Sequence, residues 1–176
     1  MSSRAAVSFL SLFLLSCTAG ESPAISSKTY FDIQGYFKSE AARLEKKDPF
    51  LDKTVAKNEL NERKRLKISD WTKELELFGL SDINKAAWSR SYRKTAGNGM
   101  IRYAATEKDL KTQEIIIYAN EKGETQRIYI LNKMENALYS SSEELNYYPD
   151  SLYSIHKKQH IILLGDNDYQ VIGRFQ

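Results

Sequence analysis

Beyond Ser89 the sequence becomes a succession of short β-branched and aromatic runs, and this restricts the fold more than any other feature. MIRYAAT, QEIIIYAN, TQRIYIL, ALYSS, ELNYY, LYSIHK, HIILLG and YQVIGRF follow one another, with turn signals such as Glu121-Lys122-Gly123 and Gly165-Asp166-Asn167-Asp168 between them. Such residues suit a pleated, half-buried surface, and the turn signals reverse the chain. The pattern predicts an antiparallel meander of about seven strands. Nine of the 11 tyrosines fall in this half. No strand–helix–strand alternation is present, which argues against a doubly wound nucleotide-binding fold.

The N-terminal half has a different period. Tyr30, Ile33, Phe37, Ala41 and Leu44 recur at spacings of three and four, which predicts an amphipathic helix over Tyr30–Lys46, capped by Ser27 or Thr29 and ended before Pro49. Leu51–Ile68 reads as two short strands around a polar turn near Asn58–Asn61. Ser69 or Asp70 is placed to cap a short helix carrying Trp71, Leu75 and Phe78, with Gly79 as its stop and a small turn from Asp82 to Trp88. The expectation is an α+β domain over residues 28–176: an N-terminal amphipathic helix packed on a curved antiparallel β-meander, with one or two short helices between.

The first residues are of another kind. A basic start ending at Arg4 precedes the uncharged run Ala5–Leu15, too short for the roughly 20 apolar residues of a spanning helix and right for the apolar region of a signal peptide. Leu14-Leu15-Ser16-Cys17 then resembles the lipobox of bacterial lipoproteins, in which the cysteine is acylated and becomes the first mature residue. Cys17 is the only cysteine of the chain, so no internal disulfide is possible. The resemblance implies a signal peptide over 1–16, lipidation of Cys17, and a membrane partner reached through its acyl chains. Removing sixteen residues, Arg4 among them, leaves 160 and lowers the net charge from +3 to +2. Thr18 after the cysteine implies, by the sorting rule of enteric lipoproteins, the outer membrane. The small, polar segment TAGESPAISS makes residues 17–27 a tether. The segments YFDIQGYF, DWTKELELF and DINKAAW also resemble uncharacterised lipoproteins of Bacteroidota-type bacteria, and element order is loosely similar to envelope proteins that hold a lipid or peptide in a half-open barrel.

Catalytic and ligand motifs are sparse. His156 and His160 would share a face on a helix, but on one extended strand they stand about 13 Å apart, too far for one ion. A reversal at Lys157-Lys158 would instead set them across a hairpin. Asp166 and Asp168 resemble the opening of a calcium loop without its later ligands, and a hairpin turn explains them equally. Gly97-Asn98-Gly99 lacks the rest of a phosphate loop and reads as a flexible connection. No G-x-S-x-G elbow occurs. Glu143 and Glu144 face opposite ways on a strand and cannot form a carboxylate pair. Lys53–Lys67 carries six basic and two acidic side chains, either a lipid-headgroup patch or a protected sheet edge. Tyr118, Tyr129 and Tyr139 either line a pocket for an apolar or sugar ligand or simply cover a half-buried sheet.

These readings predict no catalytic residues, metal or cofactor, and no nucleic-acid partner. The function expected is that of a lipid-anchored envelope module binding a protein partner or an apolar ligand. The alternative is an envelope hydrolase whose site only the fold assembles.

Overall fold

A computed structural model describes residues 28–176. Cys17, the signal segment and the tether lie outside them. Helix α1 (Ile33–Lys47) is followed by the hairpin β1 (Phe50–Lys57) and β2 (Leu60–Lys67). Two single-turn helices, α2 (Trp71–Glu74) and α3 (Glu76–Gly79), and a 3-10 turn at Ala86–Trp88 come next. The remainder is strand: β3 (Tyr92–Gly97), β4 (Met100–Ala105), β5 (Thr112–Ala119), β6 (Thr125–Glu135), β7 (Tyr139–Tyr148), β8 (Leu152–Ile161) and β9 (Gly165–Phe175).

The expected α+β arrangement with about seven strands is corrected by this topology. All nine strands form one antiparallel sheet in the order β2-β1-β9-β8-β7-β6-β5-β4-β3, and only α1 among the described helices exceeds a single turn. The protein is therefore mainly an antiparallel β structure with few helices. The difference arises from a long-range pairing: Leu51 of β1 lies beside Phe175 of β9, so the early hairpin extends the meander at its C-terminal strand. No local pattern specifies that contact.

Helix α1 starts where Asp32 caps it, its carboxylate accepting from the Gly35 amide at 2.7 Å. A Cβ on residue 35 would stand 2.2 Å from the Asp32 carboxylate, so the cap requires glycine there. Asp48 ends the helix in the left-handed region (φ 47°), returning its amide to Leu44 at 2.8 Å. Ile33, Phe37, Ala41 and Leu44 are buried on one stripe. Phe37 meets Phe78 of α3 at 4.8 Å and Tyr147 of β7 at 5.1 Å between ring centres.

The sheet supplies the other half of this core through strict alternation. Ile115, Ile117, Ile128, Ile130, Leu145, Tyr147 and Tyr153 face the helices and are buried. Tyr147 and Tyr153 are cross-strand neighbours, and each donates its hydroxyl upward to a different helix. Tyr147 reaches Glu40 of α1 at 2.5 Å, and Tyr153 reaches Glu74 of α2. Burial, reinforced by these carboxylates, raises both phenols far above the ordinary value, so they remain donors at any physiological pH. The Tyr153 ring lies over Gly173 of β9, where a Cβ would come within 2.3 Å of it. Helices and sheet are thus joined by packing and by two hydroxyl clamps.

Candidate functional site

Side chains of the opposite parity form the outer sheet face, which no described helix covers. Cross-strand register places Tyr118 of β5, Arg127 of β6 and Tyr148 of β7 in one row. The next row holds Ile116, Tyr129 and Asn146. Arg127 sits among three tyrosine rings, 5.5 Å from Tyr118, 5.7 Å from Tyr129 and 5.4 Å from Tyr148, and donates to Asn146 at 2.7 Å. Planar guanidinium and phenol groups support one another here by cation–π attraction. Burial, then Glu144 and Glu114, raises the Tyr129 phenol, which keeps it a neutral donor.

Of the three tyrosines grouped by sequence, the fold brings together Tyr118 and Tyr129 but not Tyr139. Tyr139 shares the parity of buried Leu145 and Tyr147 and so lies on the other face. Tyr148 takes the third place. ALYSS and ELNYY are one strand, and carrying its alternation through the serines would have shown this.

At one end, β6 to β9 continue past their neighbours. Strand β5 begins opposite Asn132 and β1 ends opposite Tyr169, so Lys133–Glu135, Tyr139–Ser142, Lys158–Ile161 and Gly165–Asp168 project as a four-stranded tongue. An overhang of three residues is about 10 Å. A cleft of about 640 Å³ lies on the tongue, lined by Lys133, Glu135, Ser140, Ser142, Lys158, His160, Asp166 and Asp168 among others.

His156 and His160 both stand on the outer face of continuous strand β8, with no reversal at Lys157-Lys158. Each meets an aspartate of β9: His156 Nε2 lies 2.8 Å from Asp168 and His160 Nδ1 lies 2.7 Å from Asp166. Asp166 and Asp168 are strand residues, the turn falling instead on Ile162–Leu164. Among the described residues, no three His, Cys, Asp or Glu side chains gather closely enough to hold a metal.

Ser140, His160 and Asp166 occupy one row across β7, β8 and β9, the order of a nucleophile, base and orienting acid. No hydrogen bond joins Ser140 to His160 among the described residues, and His160 and Asp166 are 58% and 85% exposed at their side chains. Strand β7 is paired on both sides, so its ladder amides are committed and offer no oxyanion hole.

A third polar group lies inside. Glu143, Asn132, Thr112 and Ser81 are buried together where α3 ends, while Glu144 is exposed on the opposite face. Glu143 accepts from Lys157 at 2.9 Å, and Asn132 donates to Ser81 Oγ at 2.9 Å. Burial alone would lower the Lys157 ammonium, but the Glu143 contact outweighs it and raises it. Asn132 Oδ1 is buried without a partner. Isolated from solvent, this group fixes register, as buried polar networks do.

The basic run spans β1 and the edge strand β2, and its charges are engaged internally. Lys53 meets Glu74 at 2.7 Å, Arg63 meets Asp52 at 3.1 Å, and Lys64 meets Glu62 at 2.6 Å. Arg65 and Lys67 lie over the Phe50 ring, and Lys57 lies over Tyr169. A charged edge discourages pairing with other chains. Gly97-Asn98-Gly99 is no loose connection: Asn98 and Gly99, at φ 51° and 70°, form the tight two-residue turn between β3 and β4.

No helix among the described residues is long and apolar enough to cross a membrane. The chain matches no protein-family model, no curated protein and no solved structure.

Proposed function

We propose that this protein is a lipid-anchored accessory module of a bacterial envelope, a docking unit for another protein through its outer sheet face. The observation that carries the reading is Arg127 set among Tyr118, Tyr129 and Tyr148 on a face that no described element covers. Tyrosine and arginine are the side chains that dominate binding energy at protein interfaces, offering large contact area at low entropic cost. Anchoring rests on the Leu14-Leu15-Ser16-Cys17 lipobox resemblance. An apolar ligand is the weaker occupant, because the inner face that would hold one is filled by Phe37, Trp71 and Phe78 of the chain itself.

Crosslinking in intact envelopes, read by mass spectrometry, tests the docking face. Adducts mapping to β5–β7 should disappear with Arg127→Glu and persist with Lys122→Glu in the β5–β6 turn. Adducts that are indifferent to Arg127 would overturn the reading. Hydrolase chemistry has one specific arrangement in its favour, the Ser140-His160-Asp166 row. A fluorophosphonate probe should leave Ser140 unmodified, and stoichiometric labelling of Ser140 would replace the docking reading with the enzymatic one.

A further inference from the structure

The most apolar run of the C-terminal half, Ile161–Leu164, does not enter the core. Leu163 is 98% exposed and Leu164 77%, at the turn between β8 and β9. Beside them the turn between β6 and β7 presents Leu138, 69% exposed, and the Ile162 amide donates to the Leu138 carbonyl at 3.1 Å, which ties the two turns together. Ile162 and Met134 extend the same surface, each about half exposed. Leu163 also holds φ at 76°, a left-handed conformation that favours glycine. A leucine here costs stability twice, through its backbone and through its hydration, and neither cost serves the fold.

We propose that this paired-turn tip inserts into the surface of a lipid bilayer, as a second membrane contact apart from Cys17. The proposal rests on the envelope-anchored reading for the presence of a bilayer. Placement supports it. The described chain enters at the same end of the sheet: the Tyr30 hydroxyl donates to the Ser89 carbonyl at 2.8 Å and its ring packs on Tyr92, the first residue of β3. Strands β6 and β8 end at that end, and α1 runs from there to the opposite one, where Lys47 meets Asp150 at 2.7 Å. A tether from residue 28 and the apolar tip therefore face one bilayer together.

Size selects a bilayer over a second copy of the chain. The tip is a pair of hairpin turns whose exposed apolar side chains are five, Met134, Leu138, Ile162, Leu163 and Leu164, against the roughly 20–30 residues a side of a stable dimer interface. A fluid surface conforms to such a tip where a folded one must be complementary. Glu135 and Asp166, the latter 2.7 Å from His160, stand next to the turns, and behind them stand Lys133, Lys158 and half-buried Tyr139, side chains of the kind that settle at headgroup level. Exposed turn backbone limits entry to the outer 5–10 Å or so of the boundary between headgroups and acyl chains.

The test uses the full chain on vesicles of phosphatidylethanolamine and phosphatidylglycerol carrying diazirine-labelled acyl chains. After photolysis, lipid adducts should map to the peptides containing Leu138 and Ile162–Leu164. Leu163→Gly, which relieves the backbone and so keeps the fold, should reduce the tip adducts about tenfold and leave N-terminal adducts unchanged. Adducts confined to residues before 28 would overturn the tip while sparing the anchor. Absence of lipid adducts anywhere would overturn both, and tip-to-tip protein crosslinks in place of lipid adducts would assign the surface to self-association.

Discussion

Two rows of side chains cross the same four strands. Near one end of β6 to β9, Ile128, Tyr147, Tyr153 and Gly173 lie side by side beneath α1 and α2. Near the other, Glu135, Ser140, His160 and Asp166 lie side by side on the open face of the tongue. Backbone pairing is continuous between them, so the ladder does not distinguish the two. What differs is cover. Where helices lie over the sheet, alternation produces a core; where the strands outrun their neighbours, the same alternation presents polar side chains and an apolar tip to whatever lies outside.

The comparison is tested most severely by one residue type in both settings. Leu145→Ala, in the covered region, should cost about 3 kcal/mol in urea unfolding, from lost burial and the cavity left behind. Leu164→Ala, at the tip, should change stability by less than about 0.5 kcal/mol. Similar losses at both sites would show that the tip is part of the core.

Alkali probes the covered side next. Burial, with Tyr30 nearby, pushes the Tyr92 phenol up to about 12 from its ordinary 10. A raised folded value means the neutral form is favoured by folding. Its stabilisation is complete below pH 10 and is lost as pH rises from there through about 12, on the order of 2 kcal/mol in all. Chemical denaturation between pH 9 and 12 should show a slope to which Tyr147 and Tyr153 also contribute, and Tyr92→Phe should make it shallower.

Tyr153→Phe should cost about 1 kcal/mol, because Glu74 keeps Lys53 as a partner when the hydroxyl is gone. A loss several times larger would mean that the hydroxyl clamp, and not ring packing, holds α2 to the sheet. The smallest effect has the opposite sign: Leu163→Gly should raise stability by about 1 kcal/mol, measured as a higher denaturation midpoint with unchanged slope.

Where the strands are covered, the sequence is readable. Ile115 and Ile117, and Ile128 and Ile130, alternate inward because one face meets helices, and the spacing of Ile33, Phe37, Ala41 and Leu44 is the stripe that α1 buries. Reading fails along the tongue for the same physical reason. Ser140, Ser141 and Ser142 give no hydrophobic period, so β7 reads as two strands and Tyr139 is assigned to the wrong face. The sequence leaves a reversal at Lys157-Lys158 open, whereas β8 passes straight through them. HIILLG reads as one more strand because of its β-branched and apolar run, yet the chain turns within it at the solvent. The Arg127 site is hidden for another reason: its rings come from β5, β6 and β7, and only register brings them together.

Strand β9, the last described strand in chain order, lies between β8 and β1 and not at an edge. The β1–β2 hairpin therefore waits through the emergence of more than a hundred residues before its partner exists, a contact of high sequence separation that is slow to form. Until then the flanks of both β1 and β8 stay open to mispairing. Loss of Gly165–Phe175 would divide the sheet in two, since this strand is the seam that joins the first hairpin to everything after it.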